Sequence, residues 1–82
     1  MSRVGKKLAA MRANPRADWR IADFETIAAA FGMSVRKGGG SHVTFRTPKG
    51  AKLTVPARRP IKPVYVRQFV ALVEKISGGD DE

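Results

Sequence analysis

Residues 33–56 read MSVRKGGGSHVTFRTPKGAKLTVP, and in three places along this stretch apolar residues alternate with polar ones. The alternation is broken by the glycines at 38–40 and again by Pro48-Lys49-Gly50, which are residue types that favour turns. Short segments of period two separated by turns predict three strands joined as an antiparallel meander. The apolar residues of these strands are expected on one face, and they are Val35, Val43, Phe45, Leu53 and Val55.

The segments on both sides of these strands have the apolar spacing of helices. A first helix is predicted over residues 2–13 and stops before Pro15, because the residue before a proline avoids helical angles. A second is predicted from Ile21 to Phe31, with Gly32 just past its end, and a third begins at Pro63 and is stopped by the glycines at 78–79. The expected order is α-α-β-β-β-α, an α+β fold in which a three-stranded antiparallel sheet is packed on helices on one face.

The length of the chain suits one small domain. A domain of 82 residues buries only about 60% of the surface that its unfolded chain exposes. We expect a single domain over residues 1–79, with an N-terminal helix at 2–13 and the core at 20–77. The acidic residues 80–82 are expected to form a disordered tail.

The composition removes several classes of chemistry. The chain has no cysteine, which excludes disulfides and thiolate metal sites. One histidine and seven scattered carboxylates do not form a recognisable ligand set, so neither a metal nor a cofactor is expected. No apolar run is long enough to span a membrane, and the basic N-terminus lacks the apolar segment of a secretion signal. A cytoplasmic location is therefore expected.

The charge indicates a polyanionic partner. The net charge is +9, and no acidic residue occurs from Thr26 to Val73. Each phosphate that a cation neutralises releases condensed counterions, so a basic surface of this density favours nucleic acid. The basic residues of this stretch are Arg36, Lys37, Arg46, Lys49, Lys52, Arg58, Arg59, Lys62 and Arg67.

The strand alternation places the single histidine on a polar surface. Successive side chains of a strand point to opposite faces, so the residues between the apolar ones are expected on the open face of the sheet. A shift of the register by one residue would reverse this assignment. The expected open-face set is Arg36, His42, Thr44, Arg46, Lys52 and Thr54.

His42 in this setting is a candidate general base. An imidazole exchanges protons near neutral pH, and RNA carries its own nucleophile in the 2′-hydroxyl group. In this hypothesis Lys37, Arg46 and Lys52 stabilise the charge of the phosphorane, while the Gly38–Ser41 loop holds the RNA backbone. The alternatives at this point are an ordinary surface histidine and a flexible glycine hairpin.

Three stretches of the chain together resemble the HicA family of toxins from toxin–antitoxin systems. The first is Phe31-Gly32 followed by Val35-Arg36 and Gly40-Ser41-His42-Val43-Thr44-Phe45, the second is Leu53-Thr54-Val55-Pro56, and the third is Ile61-Lys62-Pro63-Val64-Tyr65-Val66-Arg67-Gln68. The N-terminal helix ending at Asn14-Pro15 is similar to that of a longer variant of the family.

The resemblance implies a fold like that of a double-stranded-RNA-binding domain, mRNA cleavage without metal, and inhibition of translation and growth. It also implies a HicB-type antitoxin that covers the active face. The catalytic histidine of the family corresponds to His42. A second histidine that often follows the Leu-Thr-Val-Pro segment is replaced here by Ala57-Arg58-Arg59, so its accessory role is absent or moved to a basic residue.

The prediction is thus an endoribonuclease with His42 as the catalytic residue and mRNA and a HicB-type antitoxin as partners. The residues expected to bind RNA are Lys37, Gly39, Gly40, Ser41, Arg46, Lys52, Arg58, Arg59 and Lys62. Two alternatives stay open. One is a non-catalytic RNA-binding module, and the other is an interaction domain whose basic face binds only an acidic protein.

Overall fold

The computed structural model describes residues 3–38, 40–58 and 60–78. Its elements are α1 (Arg3–Ala13), α2 (Ile21–Ala30), β1 (Ser34–Lys37), β2 (His42–Arg46), β3 (Lys52–Pro56) and α3 (Pro63–Gly78). The predicted order α-α-β-β-β-α is confirmed. Residue 2 and the acidic tail 80–82 lie outside the described residues. Within the described ranges, no helix has both the length and the hydropathy needed to cross a membrane.

The ends of α2 are fixed by local hydrogen bonds. At its beginning, the carboxylate of Asp23 accepts a hydrogen bond of 3.0 Å from the backbone N–H of Arg20. At its end, Gly32 has a φ of 72°, which side-chain-bearing residues rarely adopt. The N–H of Met33 then bonds to the carbonyl of Ala28 at 2.9 Å, which closes the helix and directs the chain into β1.

The three strands form the predicted antiparallel meander, with β2 in the centre. Val43 is paired with Val55, and Phe45 is paired with Val35 on one side and Leu53 on the other. Val43, Phe45 and Val55 are buried, as expected. Val35 is 36% exposed, because β1 is an edge strand whose four residues are all exposed. Val35 thus lies on the covered side of the sheet, as its pairing with Phe45 shows, but at an edge where the helices cover it only in part.

The core is built around three aromatic rings, one each from α2, β2 and α3. The centroid of Phe24 lies 4.5 Å from that of Phe69 and 5.9 Å from that of Phe45, and the last two are 5.1 Å apart. All three side chains are fully buried. Helix α1 packs on both α2 and α3 and buries Leu8 and Met11. These contacts place the core on one side of the sheet.

Candidate active site

The register of the sheet defines its open face. Directly paired residues share a face, so three cross-strand rows can be assigned to the side away from the core. The rows are Ser34–Arg46–Lys52, Arg36–Thr44–Thr54 and His42–Pro56. In the middle row, the hydroxyl groups of Thr44 and Thr54 lie 3.0 Å apart and form a hydrogen bond. The polar surface that these three rows form is called the open face below.

His42 stands at one end of the open face, as the first residue of β2. Its exposed side chain lines a pocket of about 300 Å³ between the start of β2, the end of β3 and the start of α3. The cationic residues of this pocket are Arg58 and Lys62. The full lining is Ser41, His42, Pro56, Arg58, Pro60, Lys62 and Tyr65. We call it the His42 pocket.

The backbone before His42 is held by the neighbouring strand. The carbonyl of Ser41 accepts a hydrogen bond of 2.5 Å from the N–H of Ala57, which extends the pairing of β2 and β3 by one step. Gly40 reaches this position with a φ of 86°, in the left-handed region. The glycine is therefore required by the backbone conformation and not only by the space that a ligand would need.

The opposite wall of the His42 pocket is anchored in the core. Ile61 is only 2% exposed, and its N–H bonds to the carbonyl of Trp19 at 3.3 Å. Trp19 in turn is partly buried against the core, and its indole N–H donates to the carbonyl of Asn14 at 2.9 Å. These contacts fix the backbone of Lys62, whose carbonyl accepts a hydrogen bond of 2.9 Å from the N–H of Tyr65.

Some of the residues predicted for the site come together and others do not. Ser41, Arg58 and Lys62 line the His42 pocket as one group. Gly40 immediately precedes them. Gly39 and Arg59 lie outside the described residues, and the structure gives no account of these two predictions.

Arg46 and Lys52 lie at the far end of the open face. Arg46 is four residues from His42 along β2, a separation of about 14 Å at the usual rise of a strand. With Ser34, Arg36 and Thr44 it lines a separate depression of about 320 Å³. The hypothesis that Arg46 and Lys52 stabilise a phosphorane held at His42 does not fit this separation.

Lys37 lies on the covered side of the sheet. It is paired with the buried Val43, and its ammonium Nζ lies 3.1 Å from Oε2 of Glu25 in α2. That carboxylate oxygen is buried and makes no hydrogen bond of good geometry, so the charge of Lys37 compensates it. The expected role of Lys37 beside the scissile phosphate does not fit this position either.

Tyr65 is a pocket residue that the sequence reasoning missed. It is half-buried in the first turn of α3 and lines the same pocket as His42. The sequence held one signal for it: Tyr65 is an aromatic residue three positions after Lys62 and lies outside the apolar stripe predicted for the last helix. Its phenol adds a neutral hydrogen-bond donor to a pocket whose other polar groups include two cations.

Three carboxylates form ion pairs away from the open face. Asp23 binds Lys7 at 2.7 Å, Glu74 binds Arg12, and Glu25 binds Lys37. These pairs join the helices to one another and to β1. Within residues 3–38, 40–58 and 60–78, no carboxylate lines either the His42 pocket or the depression beside Arg46. The acidic residues of these ranges therefore do not cancel the positive potential of the two sites.

The pKa of Asp23 is lowered by its partners. Burial acts in the opposite direction and by itself raises the pKa. The hydrogen bonds from Lys7 and from the backbone N–H of Arg20, together with the positive charges, outweigh that effect. Asp23 is thus ionised where it joins α1 to α2.

The described residues contain no group of three or more histidine, aspartate or glutamate side chains that could hold a metal ion together. Comparison with known proteins identifies no relative. No protein-family model matches the chain, and no curated protein or solved structure gives a significant match.

Proposed function

We propose that this protein is a HicA-type toxin, an endoribonuclease that cleaves mRNA with His42 as the general base. One observation carries the proposal. The single histidine of the chain lines a pocket on the open face of the sheet, and the charged groups that share this pocket, Arg58 and Lys62, are both cations. This is the set of groups that cleavage by the 2′-hydroxyl of RNA requires.

In the proposed reaction the neutral imidazole of His42 takes the proton of the 2′-hydroxyl group. The 2′-oxygen attacks the adjacent phosphorus, and a new bond from this oxygen to phosphorus forms. The bond from phosphorus to the 5′-oxygen of the next nucleotide then breaks, and that oxygen takes up a proton. The products are a 2′,3′-cyclic phosphate and a 5′-hydroxyl end, so no water molecule is consumed in this step.

The other residues of the His42 pocket have complementary roles. Arg58 and Lys62 stabilise the extra negative charge that the phosphorane carries, an effect that is strongest for cations fixed in place before the reaction. The hydroxyl group of Tyr65 and the ammonium group of Lys62 are the candidate donors for the leaving 5′-oxygen. The Gly40–Ser41 backbone holds the RNA strand close to the imidazole.

The architecture is consistent with the finer prediction of a fold like that of a double-stranded-RNA-binding domain, since three antiparallel strands pack on helices on one face. The proposed partner that controls the activity is a HicB-type antitoxin, which covers the open face with complementary acidic groups. The proposed site of action is the cytoplasm, where mRNA is translated.

The test compares the wild type with His42→Ala on single-stranded RNA. Because His42 is exposed, the variant is expected to fold and to bind RNA, whereas cleavage and growth inhibition are lost. Mass spectrometry of the wild-type products should find the cyclic phosphate, and a single 2′-deoxy nucleotide at the cleaved position should stop cleavage there. Cleavage is expected to persist in EDTA.

Undiminished cleavage by His42→Ala would overturn the proposal. Tight RNA binding without cleavage by the wild type would instead identify a non-catalytic RNA-binding module. A strong protein partner without measurable RNA affinity would indicate an interaction domain.

A further inference from the structure

The far end of the open face contains an unusual arrangement of charge. Arg46 and Lys52 are directly paired across β2 and β3, so two cations face each other at the shortest cross-strand spacing. Like charges in this arrangement destabilise a sheet. Both residues are exposed, and neither forms an ion pair with a carboxylate among the described residues.

A third cation joins this pair. Arg36 is paired with Thr44, which makes it a diagonal neighbour of Arg46 across β1 and β2. The three cations share the depression of about 320 Å³ with the hydroxyl-bearing residues Ser34 and Thr44. Three cations and two hydroxyl groups around one shallow depression form a site for a phosphate group, because they supply both charge and hydrogen bonds.

The position of this depression relative to His42 is set by the strand. Successive residues on one face of a strand are about 7 Å apart, which is close to the reach of one nucleotide in an extended RNA strand. His42, Thr44 and Arg46 are successive residues on the open face of β2. The depression is therefore two such steps, and about two nucleotides, from the imidazole.

We propose that the depression formed by Arg36, Arg46 and Lys52 is a second phosphate site, which binds single-stranded RNA two nucleotides from the cleaved bond. This inference rests on the proposed function, and it assigns Arg46 and Lys52 to holding the substrate. The hydroxyl pair of Thr44 and Thr54 lies in the row between those of His42 and Arg46, so it is expected to contact the nucleotide between the two phosphates.

A single strand fits this surface better than a duplex. The two sites span about 14 Å along β2, whereas domains that recognise duplex RNA by its shape contact about 16 base pairs. Apart from the imidazole of His42, the open-face rows carry no aromatic side chain on which bases stack. Recognition through phosphate groups, with little preference for sequence at this second site, follows from that composition.

The first experiment measures binding and does not depend on cleavage. A ten-nucleotide single strand made entirely of 2′-deoxy or 2′-methoxy nucleotides lacks the 2′-hydroxyl nucleophile and is not cleaved. It is titrated with the protein at several salt concentrations. Arg46→Ala and Lys52→Ala are each expected to reduce the slope of log Kd against log salt by up to about 0.7, the value for one phosphate of a single strand, since each weakens the neutralisation of the same phosphate. Lys52→Arg should keep the slope. Lys6→Ala, which removes an exposed cation from α1, is the matched control and should also keep it.

The second experiment measures the register. In a cleavable oligonucleotide, one phosphate at a time is replaced by an uncharged methylphosphonate. A neutral phosphate at the cleaved bond should abolish cleavage by the wild type. Among all other positions, the largest loss of activity should come from a neutral phosphate two nucleotides away. The double variant Arg46→Ala/Lys52→Ala should be insensitive to that substitution.

The two experiments separate this proposal from the proposed function. Unchanged salt slopes in Arg46→Ala and Lys52→Ala would overturn the second phosphate site, whether or not RNA is cleaved. Tighter binding of a 20-base-pair duplex, with the same loss of slope, would overturn the assignment to single strands. Reduced slopes together with full cleavage by His42→Ala would support the phosphate site and contradict the role of His42.

Discussion

The carbonyl oxygen of Ser41 accepts a hydrogen bond of 2.5 Å from the N–H of Ala57, one step beyond the last pair of β2 and β3. The bond joins the residue before His42 to the residue before Arg58. The imidazole and the guanidinium group therefore owe their common position in the pocket to the backbone. Changes in that backbone should reduce activity even when every side chain of the pocket is intact.

Gly40→Ala is expected to test this dependence. An alanine at a φ of 86° costs about 1 kcal/mol of stability, and relief of that strain shifts Ser41 and His42. The cleavage rate of Gly40→Ala should fall by a larger factor than the fraction of folded protein does. Gly38→Ala is the matched control, because the added methyl group meets nothing within 4 Å and Gly38 has no positive φ. Rates and unfolding curves are measured for both, and equal activity in the two variants would contradict the prediction.

Lys62 and Lys37 should differ in their effect on catalysis. Lys62→Ala removes a cation from the His42 pocket and should lower kcat by about 100-fold. Lys37→Ala should leave kcat at saturating RNA almost unchanged, because its ammonium group pairs with Glu25 on the covered side. It should instead reduce the free energy of unfolding by about 1 kcal/mol. A large loss of kcat in Lys37→Ala would contradict the position found for this residue.

Tyr65→Phe removes one hydroxyl group from the His42 pocket and keeps the ring. If the phenol donates a hydrogen bond or a proton to the reacting phosphate, kcat should fall by about 10-fold to 100-fold while KM changes little. Thermal unfolding should be nearly unchanged, since the ring still packs beside the core. Steady-state kinetics at saturating RNA make the measurement, and an unchanged kcat would restrict Tyr65 to an apolar contact.

Asp23 should make stability depend on pH in the acid range. Its folded-state pKa is below the ordinary value of 3.8, so its contribution is fully present above that value. The contribution is lost as the pH falls through the lower, folded-state pKa. The free energy of unfolding of the wild type should therefore exceed that of Asp23→Asn by a constant amount above about pH 5 and by less below pH 3. Urea unfolding at several pH values checks this, and a pH-independent difference would refute it.

The alternation of β2 and β3 was enough to predict the most important feature of the site. Val43, Phe45 and Val55 must be buried, and that requirement fixes the face of His42 and Arg46. The same alternation along β1 puts Lys37 on the covered side of the sheet, with Val35. The hypothesis that placed Lys37 near the phosphate did not take this alternation into account. Charge alone does not determine the side of a sheet on which a cation lies.

The composition of the His42 pocket was harder to predict. Arg58 and Lys62 were expected to bind RNA. The sequence does not indicate whether these two cations lie beside His42 or beside Arg46 and Lys52. That choice depends on contacts between distant segments, namely the pairing of Ser41 with Ala57 and the anchoring of Ile61 by Trp19. The pocket role of Tyr65 depends on the same contacts, because they set the starting position of α3.

The pairing of the carboxylates with cations on the helical side has a consequence for the approach of a ligand. Lys7, Arg12 and Lys37 are neutralised there, while Arg36, Arg46 and Lys52 keep their full charge on the open face. The described part of the open face therefore carries a net positive charge. In the proposed encounter with RNA, this charge attracts the phosphates toward the open face before the surfaces touch. Productive encounters then become more frequent than random orientation would allow.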